Sequence, residues 1–199
     1  MTKRHLLVGL GALWIAIACK PPVGQGAVTG DDAALGAPDG AGGSVGPGQS
    51  ARTIDFDGER YTLQRAYVQG TQTINEYYRV GESASAWQRV ITVSDSRGAN
   101  DLKAFVKTYT DSLNTGLAVN KDVYQYGADT QIVASDVVAA DRTELALLRA
   151  VLVPNVGIRS FLFVSRIPSA EKSTVAAQRA KHDTWMSQIT AIDAAPVAP

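Results

Sequence analysis

Cysteine is almost missing from this chain, which has one, Cys19, in 199 residues. If that sulfur is used in a covalent attachment, no disulfide, thiolate–zinc site or iron–sulfur centre can be built within one chain. Histidine is nearly as scarce, with His5 and His182 alone. His5 lies in a stretch expected to be removed, so His182 would be the only imidazole left, and most metal and general-base chemistry goes with the other. Neither sign of charge is in excess, with 19 basic and 19 acidic residues. Such a chain is no polycation, and a nucleic-acid role has little electrostatic support. Long apolar runs are missing too. The longest uncharged apolar stretch near the start, Leu6 to Ala18, has 13 residues, fewer than the roughly 20 that cross a bilayer as a permanent helix.

What is there begins with an address. Residues 1–5 read Met-Thr-Lys-Arg-His and precede that apolar run, the pattern of a secretory signal. The run ends in Ala16-Ile17-Ala18-Cys19. This resembles the lipobox of bacterial lipoproteins, over residues 1–19 only, although Ala16 stands where Leu is commonest. The resemblance implies cleavage between Ala18 and Cys19, acyl chains on Cys19, and attachment to a membrane through them. Lys20 comes next; in Gram-negative lipoproteins Asp at that place retains the protein at the inner membrane, so the resemblance implies the periplasmic face of the outer membrane if the source is Gram-negative. An ordinary secretory signal with Ala16 and Ala18 before its cleavage site also fits the small-x-small pattern. Removal of Lys3 and Arg4 would leave 17 basic against 19 acidic residues.

Residues 20–52 differ in composition from residues 53–192. They hold nine glycines and four prolines and no aromatic residue. Gly40 to Gly48 has almost no side chain to bury and so cannot offset the entropy of ordering. A flexible tether of this length spans about 30 Å. The glycines are not a phosphate loop, because no strand precedes them and no Lys-Ser/Thr closes them. Residues 193–199 read as a short frayed tail.

Residues 53–192 are expected to fold as a single α+β domain, an antiparallel sheet of about six or seven strands with two helices packed on it. Arg60 to Val68, Thr73 to Val80 and Trp87 to Val93 read as strands, the first two joined by a hairpin at Gln69–Gln72. Leu102, Phe105, Val106, Tyr109 and Leu113 recur at spacings of three and four, which places them on one helix face. Asn100 or Asp101 can cap its start and Asn114–Gly116 can end it. Val123 to Tyr126, Gln131 to Val138, Glu144 to Val153 and Ser160 to Arg166 read as a second set of strands. Leu145 to Val153 could be a helix by composition, but its length and Pro154 argue for strand. A terminal helix begins after Pro168, with Ser169 as cap and Glu171 in its first turn. Strands and a helix, then strands and a helix, argue for helices segregated onto an antiparallel sheet. This order is loosely similar to that of PsbP/Mog1-like domains; no motif accompanies the likeness and no function comes with it.

Chemistry-bearing residues are few. His182, expected in mid-helix, has no nucleophile-elbow serine to serve. Asp55, Asp57 and Glu59 crowd a glycine, but the stretch is too short for a calcium loop and reads as an Asp-Gly turn into the first strand. Glu76, Glu82, Asp136, Asp141 and Glu144 could act as an acid–base pair only if two met across a cleft. Tyr61, Tyr67, Tyr77, Tyr78 and Trp87 gather in the first half of the sheet as a candidate binding surface, aromatics being enriched both in strands and at interfaces. In Asn75–Arg79 the two tyrosines face opposite sides, which predicts one in the core and one exposed. No catalytic set, metal site or cofactor is expected. The expected function is a lipid-anchored envelope module that binds a protein partner as accessory, assembly factor or inhibitor. A carrier of a small ligand or lipid is the second reading, and a carboxylate-dependent hydrolase the third.

Overall fold

The computed structural model describes residues 53–113 and 117–192. The signal, Ala18, Cys19, the tether, the tail and the Asn114–Gly116 helix stop lie outside the described residues. The described chain is α+β. Its strands are β1 (Thr53–Phe56), β2 (Glu59–Gln69), β3 (Gln72–Arg79), β4 (Arg89–Arg97), β5 (Ala118–Tyr126), β6 (Thr130–Val138), β7 (Arg142–Val153) and β8 (Gly157–Pro168). The helices are α1 (Leu102–Ser112), α2 (Lys172–Arg179) and α3 (His182–Ala191).

The eight strands form one sheet in the order β1-β2-β3-β4-β8-β7-β6-β5, with every neighbouring pair antiparallel. Two four-stranded meanders are joined by α1, and the second runs back so that its last strand pairs with the last strand of the first. Turn chemistry sets the hairpins. Asp57 (φ 52°) and Gly58 (φ 74°) occupy the left-handed region between Phe56 and its partner Glu59, a two-residue connection whose twist matches the strands. The seam of the two meanders needs Gly157 (φ 129°): a Cβ there would stand 2.2 Å from the Ser96 carbonyl oxygen on β4.

Both faces of the sheet are covered. On one, Leu102, Val106 and Tyr109 of α1, with Leu113 at its C-cap, pack over Val133, Val137, Leu148, Ala150 and Ile158. Asp101 caps this helix, accepting from the Ala104 amide at 2.9 Å. On the other, Trp185, Met186 and Ile189 of α3 pack over Phe56, Tyr61, Tyr77, Leu147 and Phe163. Phe163 stacks on Phe56 at 4.7 Å and meets Trp185 edge-on at 5.0 Å. Helix α3 contacts both β1 and β7 although four strands lie between them. The sheet is therefore curled around α3. The inner strands alternate between two cores, so β7 reads as a continuous apolar run rather than an alternating one.

The expectation differs from the fold in three places. The described residues form eight strands rather than six or seven, because Thr53–Phe56 pairs with β2 as a short edge strand. The terminal helix is two helices broken at Ala180–Lys181, where no glycine or proline marks the stop. Gln178 of α2 accepts from Ser165 of β8 at 2.6 Å, while Trp185 and Ile189 hold α3 deeper in the curl, so tertiary packing sets the break. Ser169 does not cap: α2 opens after Glu171, without a side-chain cap bond.

Candidate functional site

The expected aromatic surface does not form. Tyr61, Tyr77 and Tyr78 are all buried, because β3 is an inner strand covered on both faces, so both tyrosines of the Asn75–Arg79 stretch are interior. On one face Tyr67 and Tyr78 donate to Glu76 at 2.9 and 2.6 Å, and Arg65 lies 3.3 Å from the same carboxylate. Burial holds both phenols well above their usual range, and the charge of Glu76 adds to it. Trp87 is half-buried beneath the Arg166 guanidinium, 3.9 Å from its ring. Beside it an apolar cavity of about 40 Å³ lies between α1 and the sheet, well under the roughly 300–1,000 Å³ of small-molecule sites.

The candidate acid–base carboxylates are each held by arginine. Glu82 meets Arg79 at 2.6 Å, Asp136 meets Arg179 at 2.6 Å, and Glu144 meets Arg142 and Arg166 at 2.8 and 3.1 Å. Asp141 bonds Arg142 from an exposed turn. Asp136 and Glu144 sit one register step apart on β6 and β7, hence on opposite faces. Asp55, Asp57 and Glu59 do not converge either. Asp55 pairs with Arg60 at the surface, while Asp57 is bound by Arg89 and Lys181 and Glu59 by Arg89 and Arg79. The Asp57–Gly58 turn also accepts α3: its Asp57 amide donates to Gln188 at 2.9 Å.

Among the described residues, the longest exposed strand edge is at the other end of the sheet. Strand β5 ends the strand order, and its residues 120–126 are all exposed. Val119, Val123, Tyr124 and Tyr126 are strong strand formers, and β6 pairs with all nine β5 residues. One backbone side of β5 is thereby satisfied, and among the described residues no strand takes the other. Val123, Tyr124 and Tyr126 are 52%, 37% and 45% exposed.

On the α3 side of the sheet a groove runs between β5 and the helices. One part, about 190 Å³, is lined by Asn120, Asp122, Asp136, Arg179 and Trp185; an adjoining part of about 350 Å³ lies along Tyr126, Asp183 and Met186. Tyr124 and His182 line both parts, their rings 6.1 Å apart. His182 opens α3 rather than standing in mid-helix, with Nδ1 3.7 Å from Asp183. The Tyr124 hydroxyl is raised above its usual range, first by burial and then by the charges of Asp122 and Asp183. Trp185 is buried, and its Nε1 has no hydrogen-bond partner among the described residues. Sequence reading begins this strand only at Val123, whereas β5 begins at Ala118. Tyr124 and Tyr126, two residues apart in a polar stretch, were the available signal for an exposed aromatic edge.

A protein-family model matches residues 49–194, a span containing the whole sheet and all three helices. The chain belongs to that family. The family is uncharacterised, so membership brings no activity with it. No curated protein and no solved structure matches the chain, and the likeness in element order to PsbP/Mog1-like domains gains no support from such a match.

Proposed function

We propose that this protein is a lipid-anchored lipoprotein of the cell envelope whose domain holds another protein by taking an extended segment of it as a ninth strand on β5. One observation carries the binding half of this reading: the two edges of the sheet are unlike. The first edge is broken, with β1 covering four residues of β2 and the β2 residues 63–69 beyond it carrying a bulge between Leu63 and Arg65, whereas the β5 edge runs nine residues without a register shift, with 120–126 exposed. Natural edge strands are blunted by shortness, proline, bulges or outward lysines. Strand β5 has one lysine, and it is occupied, Lys121 Nζ donating to the Thr110 carbonyl of α1 at 3.1 Å. An edge left open in this way suits strand addition, in which main-chain hydrogen bonds give affinity and flanking side chains give specificity. The exposed tyrosines supply rigid contact area at low entropic cost.

The anchoring half rests on Lys3-Arg4, the apolar run and Ala16–Cys19, with Lys20 favouring the outer membrane. The tether would let the domain search about 30 Å from the bilayer. The reading is non-catalytic, because the candidate carboxylates are committed to arginines and tyrosines of the fold.

Photo-crosslinking in the native organism tests the binding half. A benzophenone side chain is placed at Tyr124, at Tyr126 and, as control, at Val68, which is 62% exposed on β2. The same discrete adduct from both β5 positions and none from Val68 is expected; equal labelling from all three, or none, contradicts it. Intact mass of the native protein tests the anchor, which requires loss of residues 1–18 and acyl chains on Cys19.

A further inference from the structure

We infer that the segment captured by β5 is basic: an extended peptide whose lysine or arginine side chain, on the α3 side of the sheet, sits in the groove between Asp122 and Asp183. The inference rests on strand addition at β5 and names the chemistry of what is added.

Charge balance along the groove is the first ground. Asp122, Asp136 and Asp183 face it against one guanidinium, Arg179, which is already bound to Asp136. Lys181, the next cation, is taken by Asp57 at 3.0 Å. Lys121 projects to the opposite face, where it meets α1. Among the described residues Asp122 has neither hydrogen bond nor ion pair, and Asp183 is fully exposed with only His182 near it. Two carboxylates, one on the edge strand and one on the helix across from it, are thus left without a lysine or arginine. Asp122 stands two residues before Tyr124 on the same face of β5, and Asp183 follows His182, whose ring is 6.1 Å from that of Tyr124, so both carboxylates flank the shared part of the groove, and both raise the Tyr124 hydroxyl.

Geometry is the second ground. Side chains of directly opposed residues in an antiparallel pair lie about 5 Å apart on the same face. An incoming residue opposite Asp122 or Tyr124 therefore reaches this groove and not the α1 side. The exposed faces of Tyr124 and Tyr126 can cover the aliphatic stem of a long basic side chain and attract its cation. Trp185 lines the inner part of the groove, and its buried N–H has no partner among the described residues, a donor that a carbonyl oxygen of the occupant would satisfy by settling against it.

Three fluorescent heptapeptides of alternating β-branched and variable residues, with Lys, Gln or Glu at the variable places, are titrated against the full mature protein in a neutral detergent. Anisotropy is read at low and at about 0.5 M salt. The Lys peptide is expected to bind about tenfold more tightly than the Gln peptide, and the Glu peptide most weakly. In the Asp122→Asn, Asp183→Asn variant, changed at two exposed positions, the Lys and Gln peptides become equal, as they do at high salt. Equal binding of all three peptides to the native protein, abolished by Val123→Pro, overturns the charge inference and leaves strand addition standing. Failure of every peptide to bind overturns both.

Discussion

Replacing Asp95 by alanine should be among the most damaging single changes in this domain, and its size comes from the geometry of the seam. Asp95 on β4 and Arg159 on β8 are directly opposed where the two meanders meet. Their side chains are 7% and 6% exposed, and Arg159 Nε and Nη2 donate to the two carboxylate oxygens at 2.6 and 2.8 Å. A bidentate pair so deeply buried gains from a low local dielectric but has lost the hydration of both ions. Removing Asp95 takes away the carboxylate that binds two N–H groups of a buried guanidinium, and breaking a buried pair from one side costs about 3–5 kcal/mol. A domain of this size loses roughly 2–4 °C of Tm per kcal/mol, so the midpoint should fall by about 6–20 °C. Chemical denaturation of the Asp95→Ala variant, followed by far-UV circular dichroism, reads the loss directly. The double change Asp95→Leu, Arg159→Met should recover most of it, because neither charge of the pair is then buried. A single-variant loss below about 1 kcal/mol, the value of an exposed pair, would refute the reasoning, and so would a double variant as unstable as the single.

Two further outcomes concern the fold. Gly157→Ala should destabilise by more than about 2 kcal/mol, since a Cβ 2.2 Å from the Ser96 carbonyl forces β4 and β8 apart at a positive φ; a Tm unchanged to within about 2 °C would contradict that close approach. The Tyr109 hydroxyl, buried under α1, is pushed up to about 12 by burial, with Glu144 adding to it and Ser135 opposing. Below about pH 10 the phenol is protonated in folded and unfolded chains alike, so its contribution is fully present. From there upward the unfolded chain ionises first, and stability is lost as pH rises through the folded value. Absorbance at 295 nm should show late-ionising tyrosines, Tyr109 among them near pH 12 or on unfolding, and Tyr109→Phe should reduce that component by one phenol while the buried tyrosines of β2 and β3 remain in it.

Much of this architecture was legible from spacing. The α1 face, its Asp101 cap and the Gln69–Gln72 hairpin come from local rules, and those rules are obeyed where the element lies against one core. Reading became harder where a strand touches two cores. Leu145 to Val153 has no alternation because Leu145 and Leu147 face α3 while Leu148 and Ala150 face α1. The same cause undid the expected aromatic surface: Tyr77 and Tyr78 point to opposite faces of β3, and both faces are interior. The break at Ala180–Lys181 has no local signature. The open edge of β5 could not be read at all, because being an edge is a property of strand order, fixed by how the second meander returns to the first. Asp122 and Asp183 are 61 positions apart in the chain, and only the curl of the sheet around α3 brings both to Tyr124.

The central claim is that β5 receives a strand. Hydrogen–deuterium exchange of its backbone amides, with and without a saturating basic peptide, tests it most directly. In the free protein about half of the β5 amides should exchange within seconds, since only the side facing β6 is hydrogen-bonded. Bound peptide should slow those amides at least about tenfold and leave β1, β2 and β3 unchanged. Protection that appears over β1 to β3 instead, or a β5 that exchanges at the same rate with the peptide bound, would contradict the account.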